Sequence, residues 1–389
     1  VVFEYYPWYA LRSVRHWDQW DRVPPDDIAA TSMPRLGPYE SRDRAVLEQH
    51  ARWILEAGAG SINLSWWGPG SFEDRSAHTV MDVMTDHGIK VTFHLEPYAP
   101  DRAFRLADDV LYLIREYGER RGYDSLLLLR DRDGSEGPVL KSFRTILPER
   151  YVDCHGLTRG IEDYTPDDVW RRQTDRLRRD LSSEFDHVTL LADSLEFRRT
   201  PASGFDGIAI YDSFVPPEAY RPLAAGASEA GLLSCFNVNA GFDGIEPRVI
   251  EPDSCYTPIP FEPGPGPIDW TTEAGRELAA DRARQRIQDS LSAALSVQLD
   301  PALPNARRGF FLLFINSFNE WHEGTAFEPA LDRAALTDGQ LRFGYHNPRN
   351  GAYRLSTLRC RLQAALPGLR FDPAESHRLS FHSSPPPSP

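Results

Sequence analysis

The chain has 389 residues, 41% of them hydrophobic, with a formal net charge of −14 and an isoelectric point near 5.3. That length allows one large domain or two small ones, and the acidity argues against nucleic acid or an anionic membrane surface as partner. Cys154, Cys235, Cys255 and Cys360 lack metal-site or redox spacing, and no apolar run reaches membrane-spanning length.

Val1 to Tyr9 reads as a strand ending in an aromatic cluster, with Pro7 stopping the ladder. The chain opens without a methionine, so an N-terminal piece carrying any signal or anchor is expected to precede it. Ser41 is placed to cap a helix whose apolar positions are Leu47, Ala51 and Ile54. Ser61 to Trp67 is a second strand, and a helix over 72–87 leads to a third, Ile89 to Glu96, which ends before Pro97-Tyr98. The Asn63-Leu-Ser65 sequon lies inside a strand and is expected to stay unmodified. Asp101 opens a helix through Arg120. Leu126–Leu129 and Val139–Phe143, joined by Asp131-Arg-Asp-Gly134, predict a hairpin at the fourth strand.

Thr165-Pro-Asp-Asp168 is a helix start with its cap, first-turn proline and early acids. Strands follow at 187–192, 204–211 and 232–239, and then a proline-rich loop over 251–267. A helix over 272–299 precedes an apolar run, Phe310 to Ile315, the expected eighth strand. A closing helix is expected over 353–366. Eight strands separated by helices predict a single-domain (β/α)8 TIM barrel over residues 1–380, with a hairpin insertion near the fourth strand and a disordered Pro/Ser-rich tail over 381–389.

Polar and aromatic residues recur at the expected strand C-termini, the catalytic face of such barrels: Tyr6, Trp66, Trp67, Glu96, Tyr98, Tyr211, Asp212, Asn239, Glu320 and Glu323, the last two within the run Asn319-Glu-Trp-His-Glu323. Glu320 and Glu323 are three residues apart, so a turn-like backbone sets their Cβ atoms about 5–6 Å apart. That approaches the carboxyl separation of retaining glycosidases. An early helical turn would also favour such acids, but it would not require Asn319, Trp321 and His322. Trp66 and Trp67 are adjacent in a strand and point opposite ways, so one of them belongs to the core. His322, outside any metal-binding spacing, reads as an orienting hydrogen-bonder. Glu328 fits loop support as well as substrate contact, and Asp206 and Asp243 are first of all turn formers.

Tyr5-Tyr-Pro-Trp-Tyr9, Ser65-Trp-Trp-Gly68, His94-Leu-Glu-Pro-Tyr98, Gly204-Phe-Asp-Gly207 and Ser317-Phe-Asn-Glu-Trp-His-Glu-Gly-Thr325 together resemble the family 99 glycoside hydrolases, endo-acting α-mannosidases. The resemblance implies a metal-free, cofactor-free retaining barrel in which Glu320 acts as base on the substrate's own 2-hydroxyl, giving a 1,2-anhydro sugar. Glu323 then protonates the leaving oxygen. It further implies substrate contacts at Tyr6, Trp66 or Trp67, Glu96 and Asn319; Tyr9, Tyr98, Tyr211 and His322 join them as candidate substrate-binding residues, in a monomer expected to act on an oligosaccharide or glycan. The implied location is the Golgi lumen for a eukaryotic source, or the periplasm or exterior for a bacterial one. Lys141-Ser-Phe143 and Ala240-Gly-Phe242 depart from the family's pattern, and these departures bear on which α-linked glycan is cut. A glycosidase of a related family acting on another α-linked polysaccharide, or a non-catalytic carbohydrate-binding barrel, is the alternative.

Overall fold

The computed structural model describes residues 1–13, 15–244, 264 and 266–367. Eight parallel strands form the barrel: Val2–Tyr5, Ser61–Trp66, Lys90–Leu95, Glu136–Ser142, Thr189–Ala192, Gly207–Ile210, Leu233–Asn239 and Phe314–Asn316. Each pairs with its neighbours in this order, and the first pairs with the last, which closes the barrel. Helices Arg44–Glu56, Phe72–Asp86, Arg102–Leu113, Asp167–Leu181, Arg199–Ala202, Tyr220–Glu229, Glu273–Gln298 and Tyr353–Ala365 follow the eight strands in turn. The fold is the expected (β/α)8 barrel. Among the described residues no helix is long and apolar enough to cross a membrane.

Local chemistry sets most boundaries. Ser71 and Thr272 accept the backbone N–H groups of Asp74 and Gly275 and so cap their helices. The cap expected at Ser41 lies instead at Asp43, which accepts the Ala45 N–H at 2.8 Å. Ser41 Oγ accepts the N–H of Tyr9 at 2.9 Å and ties the first strand's extension to this loop. The expected hairpin is present, with Leu128–Arg130 antiparallel to Glu136–Ser142. A second hairpin, Arg150–Val152 with Thr158–Gly160, was not legible in the sequence. The last strand is shorter and later than its apolar run, covering Phe314–Asn316; burial explains the run Phe310 to Leu313, which is buried or half-buried without belonging to a strand. Most of the proline-rich loop and all of the 381–389 tail lie outside the described residues.

Strand alternation sorts side chains into two environments. Phe3, Tyr5, Ile62, Leu64, Trp66, Val91, Phe93 and Leu95 point outward into the core shared with the helices. Val2, Val139, Leu191, Ala209, Leu233, Cys235 and Phe314 fill a separate cluster inside the barrel. One step further along the same inward rows come Glu4, Asn63, His94 and Lys141. The register sets Glu4 opposite Asn63 and His94 opposite Lys141. All four are buried.

Candidate active site

The buried polar residues above the apolar floor satisfy one another. Glu4 Oε1 accepts Lys141 Nζ at 2.6 Å, while Glu4 Oε2 accepts Asn63 Nδ2 at 2.8 Å and meets His94 Nδ1 at 2.9 Å. Burial alone would raise the Glu4 carboxyl, but the charge of Lys141, then His94 and the hydrogen bonds from both, bring it down to about 2. Glu4 is therefore a carboxylate held by three partners, Lys141, His94 and Asn63. Lys141 also sits 4.9 Å over the ring of Tyr211, against the next layer up.

That next layer holds the candidate catalytic groups. The hydroxyls of Tyr6 and Tyr211 are 2.5 Å apart, and the Tyr211 hydroxyl donates to Glu320 Oε2. Burial raises the Tyr211 phenol well above its usual range, and the negative charges of Glu320 and Glu323, in that order, raise it further. Both carboxylates thus lie within electrostatic reach of one hydroxyl. Tyr211 stays protonated and remains a hydrogen-bond donor to Glu320. Glu320 is 7% exposed, while Glu323 is half-buried. Their backbone is pinned on both sides: the Glu320 N–H donates to Ser317 Oγ at 2.8 Å, and the Glu323 carbonyl accepts the Asp243 N–H at 2.8 Å.

Opposite lies a second polar row. Glu96 Oε1 accepts the Ser65 hydroxyl at 2.8 Å, and Ser65 Oγ accepts the indole N–H of Trp67 at 3.1 Å. Burial raises the Glu96 carboxyl, partly offset by His94. His94 Nε2 is buried without a hydrogen-bond partner and lies 3.8 Å from Glu96 Oε2. Phe143 and Tyr211 flank the same imidazole edge-on, with ring centroids 5.6 and 5.4 Å away. An orphaned imidazole nitrogen beside a carboxylate suits a hydroxyl-bearing ligand, which can both donate and accept.

The structure divides the residues singled out in the sequence. Tyr6, Trp67, Glu96, Tyr211, Glu320, His322 and Glu323 stand on the loops and strand ends at the C-terminal mouth. Trp66 does not: it is the core member of the tryptophan pair, fully buried on the outward face, its indole donating to Asp74 at 2.8 Å. Tyr98 turns the same way after Pro97, packing edge-on against Trp66 and bonding to Asp109. Tyr9 and Asn319 are fully buried clamps. The Asn319 amide spans the backbone of Tyr6, accepting its N–H at 2.8 Å and donating to its carbonyl at 2.9 Å. Tyr9 accepts the Trp321 N–H at 3.0 Å and donates to the Asn319 carbonyl at 3.1 Å.

Glu328 is likewise a support, accepting from Tyr39 at 2.8 Å and the Trp321 indole at 2.9 Å, with His50 at 3.1 Å. His322 Nε2–H donates to the His16 carbonyl at 2.7 Å, and burial lowers its imidazole to about 4, so it is neutral near pH 7. Glu4, Lys141, His94 and Phe143 were not picked out as site residues. For Glu4, Lys141 and His94 the signal was present as polar residues on the inward parity of otherwise apolar strands; Phe143, just past its strand's end, had none beyond its parity with Lys141.

Residues 4–125 match the family model described as glycosyl hydrolase family 99. Over 379 residues the chain is 28% identical to a glycoprotein endo-alpha-1,2-mannosidase-like protein of Danio rerio, a match covering 88% of this chain and 74% of that one. The corresponding human protein is 26% identical over 379 residues, with 88% and 71% covered. A solved endo-alpha-mannosidase from Bacteroides thetaiotaomicron shares the fold, with a TM-score of 0.65 at 19% identity over 93% of this chain and 96% of the other. The chain is thus similar to glycoside hydrolases of family 99, by the family model over residues 4–125 and by relatives over most of its length.

Proposed function

We propose that this chain is a retaining, endo-acting α-mannosidase that cleaves internal α-mannosidic linkages with participation of the substrate's 2-hydroxyl. The observation that carries the reading is the Tyr6–Tyr211–Glu320 hydroxyl chain, which ends on a carboxylate three residues from a second, more open one. Glu320, which accepts the Tyr211 hydroxyl, removes the proton of the 2-hydroxyl as that oxygen attacks the anomeric carbon. Glu323 gives its proton to the departing glycosidic oxygen. In the second half-reaction Glu323 takes a proton from water, which opens the 1,2-anhydro ring, and Glu320 returns the proton to the 2-oxygen. Atoms balance, and two inversions leave the configuration retained.

Glu96, His94 and Trp67 bind sugar hydroxyls and a ring face on the opposite wall, and His322 holds the loop. Cys154 is disulfide-bonded, which supports an oxidising compartment such as the secretory lumen, periplasm or exterior. The deciding experiment compares an α-mannosyl oligosaccharide with its 2-O-methylated analogue at the reacting sugar. The analogue should bind without being cleaved. Normal cleavage of the analogue, or a sugar ester trapped on Glu320, would establish a direct nucleophile instead.

A further inference from the structure

The stretch from His16 to Asp21 is unusual in its backbone and in what it presents. His16, Trp20 and Asp21 have φ of 64°, 55° and 59°, the left-handed region that non-glycine residues rarely adopt. They are three of only five such non-glycine positions among the described residues. Three contacts hold the stretch in place. Trp17 is fully buried, and its indole donates to the Tyr39 carbonyl at 2.9 Å. His16 stacks on Trp8 at 4.6 Å, and its carbonyl accepts from His322.

With Trp17 as anchor, the backbone turns Trp20 the other way. It is 44% exposed, with its ring edge-on to His322 at 5.5 Å. His322 is the residue immediately before Glu323. The neighbours Asp18, Gln19 and Asp21 are exposed polar side chains. Exposure of so large an apolar ring disfavours the free protein, and the left-handed conformation adds to that cost. Both are accounted for when the ring is used.

We propose that Trp20 is an outer sugar-binding platform, which stacks the apolar face of a pyranose at least one unit away from the bond being cut, while Asp18, Gln19 and Asp21 meet its hydroxyls. This rests on the glycosidase reading and deepens it: the enzyme measures chain length on the His322 side of its cleft. An exposed aromatic plane whose chain neighbours carry exposed carboxylate and amide groups matches a sugar, which has a C–H face and a polar edge. The stretch is tied to His322, so an occupied platform lies beside the catalytic loop.

The test compares Trp20→Ala and Trp20→Phe with the wild type on two substrates, an activated aryl α-mannobioside and a linear α-mannosyl tetrasaccharide. Trp20→Ala should raise KM for the tetrasaccharide about tenfold, the loss expected for one good aromatic contact. It should leave kcat, and both constants for the aryl substrate, near wild type, and Trp20→Phe should restore most of the loss. Unchanged KM for the tetrasaccharide would overturn the proposal. So would an equal fall in kcat on both substrates, which would make Trp20 a support for His322. If the wild type cleaves neither substrate, the glycosidase reading fails on its own. Calorimetric titration of wild type and Trp20→Ala with the tetrasaccharide then decides the platform separately, since it requires weaker binding by the variant.

Discussion

Replacing Lys141 with methionine removes a charge from the middle of the barrel and leaves its partner behind. Glu4 and Lys141 are each 1% exposed and meet at 2.6 Å, so water does not replace the lost ammonium. The Glu4 carboxyl is lowered from 4.5 to about 2 against its own burial, which corresponds to roughly 3 kcal/mol of net stabilisation of its charge. Lys141 is the largest of the groups that lower it. Breaking such a buried pair from one side costs about 3–5 kcal/mol.

His94 and Asn63 still hold Glu4 Oε2, so the lower end of that range is expected for Lys141→Met. Removing both charges, as in Glu4→Leu with Lys141→Met, should recover most of the loss, because no uncompensated charge remains. Urea unfolding at pH 7, with both singles and the double in one cycle, measures this. A Lys141→Met protein within about 0.5 kcal/mol of wild type, where ordinary surface substitutions fall, would refute the reasoning. A double variant less stable than either single would refute it too.

Glu323→Gln should fold normally and lose about 10²–10⁴-fold in turnover on natural glycans, but far less on aryl substrates whose leaving groups need no protonation; equal losses would remove the acid role. Stability should also fall on the acid side. Burial lowers His322 from 6.5 to about 4, and burial with the nearby charge of His322 lowers His16 to about 3. Their stabilising contribution is present above pH 6.5 and is lost as the pH falls through these folded values, because the unfolded chain takes up protons first. Glu4 adds a second loss between pH 4.5 and 2. The urea midpoint should therefore begin to drop near pH 6.5, and His322→Gln should flatten the curve between 6.5 and 4. A wild-type midpoint constant from pH 7 to 4.5 would contradict this.

The barrel was legible because apolar strands and capped helices alternate, and each of those signals is local. The site was legible only as far as it is local. Glu320 and Glu323 follow the last strand, and that run fixed their place at the mouth. The Tyr6–Tyr211 pair joins residues 205 apart, and no spacing along the chain encodes such a contact. The choice between Trp66 and Trp67 could have been made from parity. Ser61, Asn63 and Ser65 are polar while Ile62, Leu64 and Trp66 are apolar, and only the inward row of a barrel strand can afford polar groups that pair with one another. Tyr98 misled because Pro97 ends the strand, so position along the chain no longer reports which face a side chain takes.

The same parity accounts for why a charged layer sits beneath the candidate catalytic one. Each inward row climbs two residues per step, so a residue that reaches the mouth stands on the residue two places before it. Tyr6 stands on Glu4, Glu96 on His94, and Phe143 on Lys141. An apolar layer at that height would seal the floor but could not hold His94 or orient Asn63. With Glu4 ionised between Lys141 and His94, the layer is close to charge-compensated, so it adds little net field at Glu320. It still gives fixed donors and a cation against the Tyr211 ring. Tyr211 is then located from below by Lys141 and from the side by Tyr6, which leaves its proton directed at Glu320. The position of the carboxylate proposed as the base is in this sense supported from one layer down the barrel, by an ion pair that is buried from solvent.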